Sequence, residues 1–181
     1  MVELDDAVTD EIDHRGDSLV VDRLLPLVER GHDDGRPGIE REVFETYLDY
    51  AAEPGYVDAD AVERQIDSRL AAADEWVDDR TVYDLGDGRI SALPPRWHEL
   101  LAGETDLVRY VECIADATGG SGSTVGGAGR GVPKQLLIEA ATILGGLDRE
   151  EVRKGLQAAR TDGDLVADAD QHPDARIRLP E

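Results

Sequence analysis

Five side chains that can bind nucleic acid occur within one short stretch of the 181-residue chain. They are Arg149, Arg153, Lys154, Gln157 and Arg160. Arg and Gln can each form two parallel hydrogen bonds with the edge of a base, whereas Lys suits a phosphate as a compact charge. Asp148 followed by Glu151 is the pattern of a capping box, and Gly163 can end a helix. The stretch therefore predicts one helix that presents these five side chains to solvent.

The elements around this helix follow the order of a winged helix. A helix around 107–117 comes first, Pro133 opens the next one, and an apolar hairpin over Leu165–Leu179 follows the helix that starts at Asp148. Residues 18–93 repeat this order, and Gly86-Asp87-Gly88 supplies their hairpin turn. We therefore predict a mainly α-helical fold with β-hairpins (α+β), organised as two tandem winged-helix domains.

The domain boundaries follow from composition and from breaks in the apolar pattern. Residues 18–93 form the N-terminal winged-helix-like domain, 94–103 a linker that begins with Pro94-Pro95, and 104–181 the C-terminal winged-helix domain. Within the second domain, the Gly/Ser-rich residues 119–131 are expected to be a flexible loop. Residues 1–17 are expected to be an acidic, partly disordered tail, although Leu4, Val8 and Ile12 also permit a short amphipathic helix.

A resemblance to a known module covers residues 131–179. Gly131-Val132-Pro133, the run Leu147–Val152 and the run Asp162–Val166 resemble the small winged helix at the C-terminus of archaeal replicative helicases and related archaeal DNA-processing proteins. Nothing of a helicase motor is present. The resemblance implies the fold, and winged helices serve both nucleic-acid and protein contacts. On DNA, the helix from Asp148 to Thr161 would lie in the major groove.

The charge composition is strongly acidic and contains little lysine. The chain has 41 acidic residues against 19 basic ones, a net charge of −22, and only two of the cations are lysines. This composition resembles that of proteins from salt-in halophiles, above all halophilic archaea, because molar salt screens repulsion between carboxylates. Against this background, residues 130–181 carry a net charge of only −2, while residues 1–129 carry −20. The contrast favours the C-terminal part for contact with a polyanion.

The leading hypothesis is a non-enzymatic DNA-binding protein, such as a transcriptional regulator. Its predicted DNA-contacting residues are Arg130, Lys134, Arg149, Arg153, Lys154, Gln157, Arg160, His172 and Arg176. The wing would also offer Gln171 and Arg178. In the competing interpretation, the arginines only pair with helix carboxylates three or four residues away. Convergence of Arg149, Arg153, Lys154 and Arg176 on one surface would favour DNA binding.

An alternative class is a protein–protein adaptor without direct DNA contact. In layout and length the chain resembles the kleisin-associated subunits of chromosome-condensing complexes, although no motif carries that family. An adaptor would expose an apolar groove or patch. The acidic N-terminal domain would in either case carry a homodimer or partner contact, since its third predicted helix would repel phosphates. A third class is an RNA-associated factor.

Motifs for catalysis, metals and membranes are missing from the sequence. The run 119–131 lacks the preceding strand and the Gly-Lys-Ser/Thr ending of a phosphate loop. The four histidines are scattered, and Cys113 is the only cysteine. No apolar stretch is long enough for a membrane span, and the N-terminus lacks the basic region of a signal peptide. We therefore expect a cytoplasmic protein that is no enzyme and holds no metal or cofactor.

Overall fold

The chain is mainly helical and has two small sheets. The computed structural model describes residues 2–117, 131–168 and 175–181. They divide into two compact units, Met1–Arg96 and Trp97–Glu181. The boundary falls inside the segment 94–103, which the sequence analysis assigned to a linker. That assignment needs correction, because helix α5 (Pro95–Leu101) occupies the segment and buries Trp97 and Leu101.

The first unit contains four helices and four short strands. The helices are α1 (Asp6–Arg15), α2 (Val21–Gly31), α3 (Arg41–Ala52) and α4 (Ala59–Arg69). The strands are β1 (Ile39–Glu40), β2 (Leu70–Ala71), β3 (Val82–Gly86) and β4 (Arg89–Ser91). They form one sheet in the order β1-β4-β3-β2, in which only β2 and β3 pair in parallel. The first strand of the unit therefore pairs with the second strand of its hairpin.

The hairpin between β3 and β4 has a two-residue turn, where three turn residues were expected. Gly86 pairs with Arg89, so Asp87 and Gly88 form the turn, and a bulge lies between Asp84 and Gly86. Both turn residues have positive φ (53° and 75°), as a type I′ turn requires. Asp-Gly meets that requirement because Gly has no Cβ and Asp tolerates the left-handed region.

The N-terminal residues form a packed helix, so the expected acidic tail is wrong. The Asp5 carboxylate accepts hydrogen bonds from the N–H groups of Ala7 and Val8 and starts α1. Val8 and Ile12 are 3% and 0% exposed and belong to the core of the unit. The four-residue apolar spacing thus outweighs the acidic composition, because the carboxylates occupy the solvent-facing side of the helix.

Helix α4 is shorter than its apolar pattern predicts. The Asp60–Glu63 spacing predicts a capping box, and the apolar spacing predicts a helix that keeps Val77 inside. Instead, the Asp58 carboxylate caps the observed helix by accepting from Ala61 N–H. The helix ends at Arg69, and the side chain of Val77 is 55% exposed. Strand β2 follows immediately, since Leu70 and Ala71 pair with β3 instead of continuing the helix.

Arg89, which the sequence analysis did not single out, is buried at the start of β4. Its side chain is 4% exposed, and its two terminal nitrogens donate to the two carboxylate oxygens of Asp34 at 2.9 Å each. It also donates to the backbone carbonyls of Pro37 and Gly38, at 2.8 Å each. Partial burial raises the pKa of Asp34, but the hydrogen bonds from Arg89 and from Arg36 N–H outweigh it and lower that pKa. Arg89 therefore ties the loop over 34–38 to the sheet.

The second unit follows the same order of elements after α5. Its further helices are α6 (Leu107–Ala117), α7 (Lys134–Gly145) and α8 (Arg149–Asp162). Its strands are β5 (Val132–Pro133), β6 (Val166–Asp168) and β7 (Arg176–Arg178). They form an antiparallel sheet in the order β5-β7-β6. As in the first unit, the single early strand pairs with the second strand of the hairpin.

Two glycines allow close approaches inside the second unit. A Cβ on Gly145 would lie 2.4 Å from Glu104 O and 2.7 Å from the Tyr110 hydroxyl oxygen. That hydroxyl is buried and donates to Glu104 O at 2.7 Å, and burial raises the pKa of Tyr110. At Gly131, φ is +115° and a Cβ would lie 2.8 Å from Ile177 O. Glycine at these positions lets the end of α7 and the start of β5 pack directly against backbone.

Candidate nucleic-acid interface

Helix α8 is a firmly capped helix that packs on α6 and α7. The Asp148 carboxylate accepts from Glu151 N–H at 2.8 Å, and the Glu151 carboxylate accepts from Asp148 N–H at 2.9 Å. This confirms the predicted capping box. Gly163 ends the helix with φ +82°, also as predicted. Val152 and Leu156 are buried, and they fix which side of α8 faces solvent.

The solvent side of α8 has a sector without carboxylates. At about 100° per residue, the side chains of Arg149, Arg160, Arg153 and Gln157 fall within about 80° of one another around the axis. None of the acidic residues of α8 falls inside that arc. The arc borders the buried side at Leu156. We call these four residues the cationic sector.

Within the cationic sector, the side chains differ in how they are engaged. Arg153 is exposed and makes no ion pair or side-chain hydrogen bond with any described residue. Arg149 is half-buried and engaged within the protein. Arg160 donates to Oε1 of the exposed Gln157 at 3.4 Å, near the limit of a hydrogen bond. Arg153 is therefore the sector's most available cation.

Lys154 and Arg176 are engaged elsewhere. Lys154 lies about 100° around the helix axis from Arg153, and its Nζ is 3.7 Å from the Glu150 carboxylate. On β7, Arg176 donates to Gly131 O at 3.0 Å. Arg149 and Arg153 thus lie on one arc of α8. Lys154 and Arg176 lie outside that arc, so only two of the four predicted residues share it.

The remaining predicted contacts lie at the start of α7, on the hairpin or outside the described residues. Lys134 is half-buried at the first position of α7, and its N–H donates to Ala175 O at 2.9 Å. Pro133 pairs with Arg176 across the sheet, so Lys134 follows directly after that pairing. Arg178 is half-buried on β7. The predictions for Arg130, Gln171 and His172 fall outside the described residues.

The corresponding helix of the first unit differs in its electrostatics. Three carboxylates (Asp60, Glu63 and Asp67) lie on α4. Arg69 of α4 pairs with Asp22, and Asp67 accepts from Arg41 at 2.6 Å. Arg64 of this helix is exposed and makes no ion pair with any described residue. Two of the five charged side chains of α4 are thus paired within the first unit, and its three carboxylates outnumber its two arginines.

The described part of the chain contains neither a metal-binding cluster nor a membrane-spanning helix. Over residues 2–117, 131–168 and 175–181, no three His, Cys, Asp or Glu residues are placed to hold a metal ion. His32 instead shares a hydrogen bond of 2.8 Å with the buried Tyr47 hydroxyl. No helix there is long and apolar enough to cross a membrane. Comparisons of the chain with protein-family models, with curated proteins and with solved structures gave no match.

Proposed function

We propose that both units are winged helices and that the second one binds duplex DNA through α8. The support for the fold is the repeated topology: helix, two-residue strand, two helices and a hairpin. In each unit the early strand pairs with the second hairpin strand, giving the orders β1-β4-β3 and β5-β7-β6. This is the strand order of a winged-helix sheet, and α8 occupies the position of the recognition helix.

The observation that carries the functional proposal is the cationic sector of α8. On a chain with a net charge of −22, the exposed Arg153 guanidinium, which pairs with no carboxylate among the described residues, stands out from the acidic surface. Arg153 can hydrogen-bond base edges, Gln157 offers an amide one turn later, and the adjacent Arg160 is suited to phosphate. The protein would therefore act as a non-enzymatic DNA-binding protein of the regulatory type.

Binding at high salt would depend on short-range contacts. Counterion release drives much of ordinary DNA binding, and that contribution shrinks as salt rises. With 41 acidic residues, the chain would also be repelled by DNA at low salt. Hydrogen bonds and shape fit at α8 would then supply most of the affinity. We expect binding to be retained in molar KCl.

The charges of the first unit favour contact with a protein rather than with DNA. Its 26 acidic residues exceed its 10 basic ones, and α4 carries three carboxylates against two arginines. It would carry the contact with a second copy or another partner. If the adaptor hypothesis were correct, this contact would be the whole function.

An adaptor would need exposed apolar side chains. Among the described residues, the large apolar side chains that are exposed are Val20, Val77, Leu100 and Leu179, two in each unit.

The test is a DNA-binding titration of the full chain over a series of KCl concentrations. A labelled duplex of mixed sequence is followed by fluorescence anisotropy. The variant Arg153→Glu should weaken binding by at least about tenfold, because it reverses the exposed charge of the cationic sector. The matched control is Arg64→Glu, which reverses the exposed cation on α4.

Three outcomes separate the hypotheses. Loss of binding in the α8 variant together with unchanged binding in Arg64→Glu supports the proposal. Equal binding by both variants contradicts the assignment to α8. Failure of the unmodified chain to bind any duplex at any salt contradicts DNA binding and favours the adaptor.

A further inference from the structure

Arg153 and Gln157 lie one helical turn apart on α8, and this spacing has a consequence for sequence recognition. Resting on the proposed function, we infer that this pair reads a guanine and an adenine, placed within two base pairs of each other, in the major groove. Arg153 takes the guanine, and Gln157 takes the adenine. Base reading then occurs in the middle of α8 and not in its first turn.

The geometry of the pair is suited to two neighbouring bases. Four residues of α-helix rise by about 6 Å, and their side chains diverge by only about 40° around the axis. Stacked base pairs are about 3.4 Å apart, and recognition helices commonly use residues three apart for successive bases. Both side chains are exposed on the arc free of carboxylates. They can therefore enter one groove together.

The chemistry of the two side chains fixes the bases. The fork of an Arg guanidinium donates to O6 and N7 of guanine, which are both acceptors. The Gln amide donates to N7 of adenine and accepts from its N6 amino group. Among the described residues, Oε1 of Gln157 accepts only the 3.4 Å bond from Arg160. That long bond is weak, so the amide can exchange it for adenine.

The first turn of α8 is unsuited to reading either the guanine or the adenine. The capping box occupies the N–H groups of Asp148 and Glu151, and it places two carboxylates where a phosphate would approach. Arg149 is half-buried, with its Nε enclosed. Lys154 lies close to Glu150 on a different side of the helix. Arg153 and Gln157 thus remain as the exposed pair that can reach base edges.

The test is a selection of bound duplexes from a random library with the full chain in molar KCl. The enriched sequences should share a guanine and an adenine on one strand, adjacent or one base pair apart. Replacing the preferred guanine should weaken binding about 5-fold to 150-fold, and so should replacing the adenine.

Variants assign each base to its side chain. Arg153→Lys keeps the charge but loses the fork, so binding should persist while the preference at the guanine position disappears. Gln157→Ala should relax the adenine position alone. Arg64→Ala on α4, the matched control, should leave both preferences unchanged.

The outcomes distinguish this inference from the proposed function. Relaxation of one base position by each variant supports the inference. Duplex binding that depends on α8 but shows no guanine–adenine preference, or a preference that survives both variants, overturns the inference and leaves DNA binding standing. Failure to retain any duplex overturns the proposed function and the inference with it.

Discussion

Replacing Arg89 by Met tests whether one buried guanidinium holds the 34–38 loop on the first unit's sheet. Met retains part of the apolar stem but removes every donor. The change deletes four hydrogen bonds of 2.8 or 2.9 Å. Two of them join the carboxylate of Asp34, and the other two join the carbonyls of Pro37 and Gly38. We expect the first unit to lose stability while the second unit keeps its own.

The size of this loss follows from the surroundings of the partners. The two bonds to backbone carbonyls contribute about 1 kcal/mol each. The Asp34 side chain is 35% exposed, so water can hydrate it once the guanidinium is gone. Its ion pair therefore adds about 1 kcal/mol, well below the cost of breaking a fully buried pair. The free energy of unfolding of the first unit should fall by about 2–4 kcal/mol.

Hydrogen–deuterium exchange of the full chain measures the two units separately. Peptides from β3 and β4 should exchange faster in Arg89→Met, whereas peptides from α7 and α8 should not change. The matched control is Arg36→Met, because Arg36 is 55% exposed and lies 3.8 Å from Glu40. That variant should cost under about 0.5 kcal/mol. Equal exchange in the two variants, or a loss of protection confined to the second unit, would refute the reasoning.

Three further predictions concern single positions. Asp148→Ala removes the side-chain half of the α8 cap and should cost about 0.5–2 kcal/mol in denaturant unfolding, whereas no loss would contradict the cap's contribution. Gly145→Ala places a Cβ 2.4 Å from Glu104 O and should cost about 1–3 kcal/mol, so an unchanged thermal midpoint would argue against this close approach. The pKa of Asp34 is lowered in the fold, so its contribution is present above the usual value of 3.8 and is lost as pH falls through the lower folded value. The difference in stability between the unmodified chain and Asp34→Ala should shrink in that acidic range, and a difference that grew there would have the wrong sign.

The sequence predicted the elements whose signals are local. The capping box at Asp148 and Glu151 and the end of α8 at Gly163 are confirmed, because a cap depends on residues within one turn. The hairpin of the first unit was also predicted, since positive φ favours the Gly86–Gly88 run. Its bulge was missed, because the register depends on how β3 meets β4 across the sheet.

Features that depend on distant partners could not be predicted. The strands β1 and β5 have two residues each, too few for an alternating pattern to be recognised. Arg89 gave no signal beyond one more charge, because its partners lie about fifty residues earlier in the chain. The exposed state of Arg153 likewise required the fold, since Glu150 lies three residues earlier, at a spacing that allows an ion pair on a helix.

The packing of helix α5 determines where a recombinant fragment of the second unit should begin. Leu101 O lies 3.3 Å from the Tyr110 hydroxyl oxygen, and Gly103 N–H donates to Leu144 O at 2.9 Å. A fragment starting at residue 104 would lose the Gly103 hydrogen bond, the Leu101–Tyr110 contact and the buried Leu101 side chain. Recombinant versions of the second unit, and fusions that transplant it onto other proteins, should therefore begin ahead of Pro95.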